Sequence, residues 1–370
     1  MEEIRRLFPA LREVTYINTA SQGLLSLEQI EVIKKYAEER KYGNKKWVDW
    51  YMLIDKDLRE MVARFIGADI SEIGFVPNTS FGLNMIANSI KWEKGQNIVT
   101  NDMEFPTNLF IWQKIAERYG LEVRYAKNHG GVIPEEEYEK LVDEKTRAIV
   151  VSWVEFSSGF THDLEFLSKL AKKNDAYLIV DGIQAIGALP LDAKKIKIDA
   201  ISCGFQKWML GIGGGFVYIN DEIIHELDPP FAGWLSDKKP FDFSFRKYSP
   251  TPTAKMFEIG TPNFVAYLAE IEALKLIEKI SINKIYNHNK DIANYLRKKL
   301  TDIGIKTATP KESPSPITLI IHKDAKKIYE TLTNQKIIVS YRMSGIRISP
   351  HFYNNKEDIN KLIDVIKNNI

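Results

Sequence analysis

Tyr177-Leu-Ile-Val-Asp181-Gly182-Ile183-Gln184, followed by Asp199-Ala-Ile-Ser-Cys-Gly-Phe-Gln206-Lys207-Trp208 and Gly211-Ile-Gly-Gly-Gly-Phe216, reads as two short apolar strands and a glycine turn. The runs are too short for helices and are bounded by turn residues. The first ends in a carboxylate and the second in a lysine. Open α/β sheets gather their ligands beyond the carboxyl ends of their strands. Both side chains are therefore expected at one functional edge.

The same alternation extends outward. Strands are expected at Gln96 to Thr100, Arg147 to Ser152, Ala176 to Val180 and Phe216 to Ile219. Helical spacing separates them at Phe81 to Ile90, Pro106 to Tyr119 and Leu164 to Asn174. Strands alternating with helices predict an α/β protein with a doubly wound, mainly parallel sheet. After residue 245 the texture changes. A Pro-rich connector, Tyr248-Ser-Pro-Thr-Pro-Thr253, precedes a helix over Asn263 to Lys279. Strands follow at Ile317 to Ile321 and Ile337 to Tyr341, with helices at Ala325 to Thr333 and Lys356 to Asn368. A helix is also expected from Leu25 to Tyr42. The expected division is a large domain over residues 20–245 and a smaller α+β domain built from both termini, 1–19 plus 246–370.

Composition narrows the function. The 370 residues carry 51 Lys and Arg against 49 Asp and Glu, a net +2, with no long block of one sign. That balance argues against nucleic acid or an anionic membrane as a partner held by bulk charge. No apolar run approaches the length of a membrane span, and the N-terminus lacks a signal-peptide core, so a cytoplasmic protein is expected. Cys203 is the sole cysteine, which rules out an intrachain disulfide and a multi-cysteine metal site. No metal is expected.

Asp181 and Lys207 together suit pyridoxal phosphate chemistry. A lysine forms a Schiff base with the aldehyde, and a carboxylate keeps the ring nitrogen protonated. Taken alone, Asp181 could cap a turn and Lys207 could be a solvated surface charge. Its apolar neighbours and the glycines nearby argue for the first reading, and burial lowers a lysine's pKa as the chemistry requires. The glycine cluster matches neither nucleotide-binding spacing, and it precedes a strand rather than opening a helix. A phosphate site of the right topology stands earlier, at Gly74-Phe-Val-Pro-Asn78-Thr79-Ser80-Phe81-Gly82. There a short strand runs into hydroxyl residues and a helix N-terminus. An ordinary Ser or Thr cap is the plainer alternative.

In this order the motifs resemble the class V aminotransferase family of pyridoxal phosphate enzymes, fold type I, over almost the whole chain. That group includes cysteine desulfurases, isopenicillin N epimerase-like proteins and kynureninases. The resemblance implies a mainly parallel seven-stranded type of sheet. It implies that Lys207 is the cofactor-bearing lysine, Asp181 the partner of the pyridine nitrogen and Gln184 a donor to the ring hydroxyl. Thr79, Ser80 and, less directly, Gln206 become phosphate ligands, and Phe105 the residue that stacks on the ring. Arg347 becomes the clamp for the substrate α-carboxylate, with Arg342 a second candidate, and Asn18 to Gln22 with Trp234 line the substrate mouth. Gly260 and Thr261 would reach the phosphate of a neighbouring subunit in a homodimer.

Departures from the family choose the reaction. Desulfurases use a mobile-loop cysteine in the C-terminal half, and none follows Cys203. Phe105 replaces a common histidine, Gly204 a common hydroxyl residue, and Phe156 an asparagine beside Glu155. The aromatic rings at Phe105 and Phe156 lean toward the kynureninase-like or epimerase-like branches, while Gly204 weakens the phosphate set. The leading expectation is transamination of an amino acid through Lys207. The alternatives are a lyase, hydrolase or epimerase of the same cofactor and, more remotely, a fold that has lost catalysis.

Overall fold

The structure, a computed structural model, describes residues 2–369, so Met1 and Ile370 of the expected terminal domain lie outside the described residues. Its central sheet has seven strands: β1 (Ile73–Val76), β2 (Asn97–Asn101), β3 (Glu122–Ala126), β4 (Thr146–Ser152), β5 (Tyr177–Asp181), β6 (Ala200–Gly204) and β7 (Gly215–Ile219). They lie in the order β1-β7-β6-β5-β4-β2-β3. The run from β6 to β3 is parallel throughout. Only β7 reverses, pairing antiparallel with both β6 and β1.

That reversal positions the site. Because Gly204 pairs with Gly215, the ten residues between β6 and β7 stay at the carboxyl edge, and Lys207 with them. Strands β5, β6 and β7 are buried along their whole length, as a sheet covered on both faces requires. Their side chains alternate between two cores. Leu178, Val180, Ile201, Phe216 and Tyr218 enter one cluster, and Tyr177, Ile179, Ala200, Val217 and Ile219 enter the other. This is the two-residue period of a strand.

Helix α1 (Leu27–Tyr42) starts with a Ser26/Gln29 capping box and stops at Gly43 in the left-handed region. Helix α2 (Thr79–Ser89) packs directly on the sheet. A Cβ on Gly82 would fall 2.2 Å from Ser202 Oγ, so only glycine allows the approach. Ser202 Oγ donates to the Thr79 carbonyl at 3.0 Å and locks α2 in that position. Helix α3 (Phe264–Ile280) enters the first cluster together with the large sheet.

A second sheet, antiparallel, has the order β10-β11-β9-β8, where β8 is Lys306–Thr307, β9 Thr318–Ile321, β10 Ser340–Arg342 and β11 Gly345–Ile348. Its apolar residues join Ile17 and those of helices Ile282–Asp302, Ala325–Asn334 and Lys356–Lys367 in a third cluster. The strand expected over 337–341 is two pieces. Ile337–Ile338 pairs in parallel with Thr15–Tyr16, and Ser340–Arg342 turns away to pair with β11. Hydrophobic pattern marks a strand but does not name its partners. Helix Ile282–Asp302 was absent from the expectation because polar residues dominate it, yet Ile285, Ile292, Leu296 and Leu300 form its buried stripe. Strand β3 lies outside the expected set as well: as an edge strand it is mostly half-buried and carries Glu122 and Arg124.

Gly82→Ala is expected to cost about 1–3 kcal/mol by pushing α2 off β6. Urea unfolding checks this, and an unchanged midpoint would remove the close approach as a constraint.

Candidate active site

Five chain segments converge at the carboxyl edge: the start of α2, the turns after β2, β4 and β5, and the β6–β7 connection. Lys207 is half-buried there. Its Nζ lies 5.9 Å from the Phe105 ring centroid. Burial lowers its pKa to about 8; Arg347 and Arg342 push the same way, while Asp181 opposes them. Asp181 ends β5, 3% exposed, and accepts from the Ile183 N–H at 2.9 Å. Burial raises its pKa to about 6 against the opposing pull of Lys207. The result is a lysine with an appreciable neutral fraction near pH 8 beside an acid that is mostly ionised there.

Phe105, 42% exposed, meets Phe156 edge to face at 5.2 Å. Gln184 is more committed than its expected role implies. Its Oε1 accepts from the Trp208 indole at 3.0 Å and its Nε2 donates to the Ala20 carbonyl at 3.0 Å, which leaves one N–H for a ligand.

At the start of α2 the cap is Asn78, whose Oδ1 accepts from the Phe81 N–H at 2.9 Å, so neither Thr79 nor Ser80 acts as the cap. Thr79 Oγ1 accepts from the Gly204 N–H at 2.8 Å, and Ser80 Oγ bonds Thr107 Oγ1 at 2.9 Å. The first amides of the helix and the Thr79 proton remain available to an anion. Gly204 matters here by its size: a Cβ would fall 2.4 Å from Gln206 Oε1 and 3.1 Å from Thr79 Oγ1. Gln206 Oε1 is buried without a partner.

Arg347 is 2% exposed, on β11. Its Nη1 donates to the Phe156 carbonyl at 2.7 Å and its Nη2 to Ser21 Oγ at 2.8 Å, while Nε is buried and unpaired. No carboxylate among the described residues pairs with it. Burial, and then Arg342, lower its pKa to about 10. A desolvated guanidinium without a counter-ion can pair with a carboxylate brought to it. Arg342 is exposed. Asn18 adjoins the same place, its Oδ1 accepting from Ser340 Oγ at 2.6 Å, and Ser340 Oγ also meets Ser21 Oγ at 2.8 Å.

Three expected residues lie apart from this group within the chain. Thr261 and Gly260 line a cavity of about 170 Å³ with Tyr51, Arg59 and Phe81. Trp234 packs among Trp47, Phe241 and Phe243 at 5.9–6.3 Å. Asn101, Glu104 and His162, which no motif in the sequence singles out, surround Glu155 in a buried polar cluster. The signal was present as acids beside apolar residues after two strands, but nothing in the spacing joins residues 54 positions apart.

The architecture is that of pyridoxal phosphate enzymes of fold type I, as expected. The apo structure of a cysteine desulfurase from Thermococcus onnurineus NA1 superposes with a TM-score of 0.91 at 24% identity, covering 100% of this chain and 98% of that one. A C-DES mutant with glycine covalently linked to its PLP cofactor gives 0.90 at 21%, covering 98% of each chain. The chain belongs to the aminotransferase class-V family, which it matches over residues 30–362. A Bacillus subtilis relative named as an uncharacterized aminotransferase is 29% identical, covering 99% of this chain and 97% of its own. A probable cysteine desulfurase of Borreliella burgdorferi is 30% identical, covering 97% and 94%.

Under the lysine turn, Glu270 of α3 is fully buried and neither carboxyl oxygen has a partner. A Cβ on Gly211 would fall 2.5 Å from its Oε2. Burial pushes its pKa well up, so the folded chain holds a proton that the unfolded chain releases above the usual carboxylate range. Stability is lost as pH rises from that range toward the folded pKa. Glu270→Met is expected to stabilise by about 1–3 kcal/mol at neutral pH, with the gain shrinking toward pH 4. Urea unfolding at the two pH values checks this; equal or lower stability at neutral pH refutes it.

Proposed function

We propose that this enzyme binds pyridoxal phosphate at Lys207 and transfers the amino group of an α-amino acid to it. The observation that carries the reading is the pairing of two desolvated cations at one sheet edge. One is a lysine of lowered pKa beside Asp181, and the other is Arg347, buried without an acid. The residues fit the cofactor. Lys207 would hold its aldehyde, Asp181 its ring nitrogen, Phe105 one ring face, and Gln184 the ring hydroxyl through its remaining N–H. Thr79, Ser80 and the α2 amides would hold the phosphate, with Gln206 and the cradle at Gly204 beside them. In a homodimer, Thr261 would serve the neighbouring subunit.

When bound, the cofactor supplies an electron sink for the substrate Cα. The protein does the rest. Arg347 grips the substrate carboxylate with a guanidinium aimed by Phe156 and Ser21, which fixes the Cα–H direction. Once free, Lys207 Nζ takes the Cα proton and returns it elsewhere; its lowered pKa makes the neutral amine available near pH 8. Asp181 stays ionised and holds the ring nitrogen's proton. Phe105 has no acid or base to offer, so both proton transfers fall to Lys207.

Cys203 supports amino transfer over desulfuration. It is the only cysteine, lies fully buried within β6, and burial pushes its thiol up. A sulfur carrier needs a mobile thiolate. A second reading, Cβ–Cγ cleavage or epimerisation on the same cofactor, is favoured by the aromatic ring at Phe105.

Single-turnover mixing of the holoenzyme with a panel of amino acids is expected to accumulate pyridoxamine phosphate with at least one of them. Lys207→Ala should slow that turnover by roughly 10²–10⁴-fold. Arg347→Ala should raise KM about 10–100-fold with a smaller change in kcat, as the loss of a bidentate charged contact predicts. Return of pyridoxal phosphate alone, with every amino acid consumed, would defeat transamination and favour the second reading.

A further inference from the structure

Two carboxyl groups close on each other between the ends of β2 and β4. Asn101 directs its amide nitrogen to both Glu104 Oε1 and Glu155 Oε1, each at 3.0 Å. Glu104 also accepts from the Ser152 N–H at 2.5 Å and from Ser152 Oγ at 2.6 Å. Glu155 is fully buried, with Oε1 3.2 Å from His162 Nε2 and Oε2 without a partner. The titratable groups facing the pair are Asp102, Asp181, Tyr138 and His162. None brings a positive charge: burial pushes His162 down to about 3 and the Tyr138 phenol up. Two carboxylates in a dry pocket without a cation cannot both ionise, so the pair keeps at least one proton at neutral pH. Burial raises both acids, Glu104 well above the carboxylate range and Glu155 to about 8.

The pair holds the backbone that aims Arg347. Glu155 closes a turn, its N–H donating to the Phe160 carbonyl at 2.8 Å and its carbonyl accepting from the Gly159 N–H at 2.9 Å. Within that turn Phe156 offers its carbonyl to Arg347 Nη1 and its ring to Phe105. On the other side, Ser152 pairs in register with Asp181.

We propose that Glu155, sharing one proton with Glu104, is a positioning residue that fixes the Phe156 turn and so sets the grip of Arg347 on the substrate carboxylate. The proposal rests on the reading of Arg347 as that clamp. When the shared proton leaves, repulsion between the two carboxylates displaces the turn and the grip loosens.

The test compares two oxyamines that attack the bound cofactor, aminooxyacetate with a carboxylate and methoxyamine without one. The ratio of their rates on the holoenzyme reads the clamp, because the contribution of Lys207 cancels. From about pH 7 to about pH 9.5 the ratio is expected to fall about tenfold in the wild type and to stay level in Glu155→Gln, which cannot ionise. Burial lowers Arg347 only to about 10, so it keeps most of its charge across that window, too small a change for a tenfold fall. A wild-type ratio that stays level, or an equal fall in Glu155→Gln, overturns the proposal. Should that variant fail to fold, Glu104→Gln removes the second charge and must level the ratio in its place. A ratio untouched by Arg347→Ala defeats the clamp reading and the proposal with it. No spectral change with either reagent defeats the cofactor assignment and, with it, the proposal.

Discussion

The site depends on one buried hydrogen-bonded chain centred on Trp208. Its indole donates to Gln184, whose amide in turn donates to the Ala20 carbonyl. Its own carbonyl accepts from His351 Nε2 at 3.0 Å, and Asn289 donates to His351 Nδ1 at 3.1 Å. These partners fix the imidazole as neutral, and burial pushes its pKa down to about 3, which agrees. The residue after Lys207 is thus held by the turn below Asp181, by the N-terminal segment and by the C-terminal region. Lys207 can remain reactive and partly open because its neighbour is immobile.

Charge placement in the crevice runs against stability. Lys207 and Arg347 are desolvated, Arg347 lowers the lysine's affinity for protons, and both lack full counter-ions. A chain optimised for stability would pair or replace them. The cost is borne by two well-packed cores on the faces of the sheet and by ion pairs elsewhere, such as Arg59 between Asp55 and Glu258. Places where local rules are broken without local compensation mark function. Here they are Lys207 and Arg347, the residues proposed for the cofactor aldehyde and the substrate carboxylate.

Much of this was legible in the residues. Strands β4 to β7 show as apolar runs because a sheet covered on both faces needs them, and Asp181 and Lys207 stand out because each ends or follows such a run. Strand β3 and helix Ile282–Asp302 were harder to read because their exposed, polar faces dilute the pattern. Asn78, rather than Thr79 or Ser80, caps α2, a choice among equivalent capping residues that only backbone geometry makes.

What the sequence determined by itself was the succession of elements and the chemistry at their ends. It also determined that no thiol beyond Cys203 exists to carry sulfur. Those follow from local periodicity and residue type, which a linear chain displays directly. Only the tertiary structure decided that Arg347 is buried while Arg342 is exposed, that Gln184 is largely spent on Trp208 and Ala20, and that Glu104 and Glu155 meet across Asn101. Burial and pairing depend on segments far apart in the chain, and the electrostatic character of a side chain is set by what surrounds it in space.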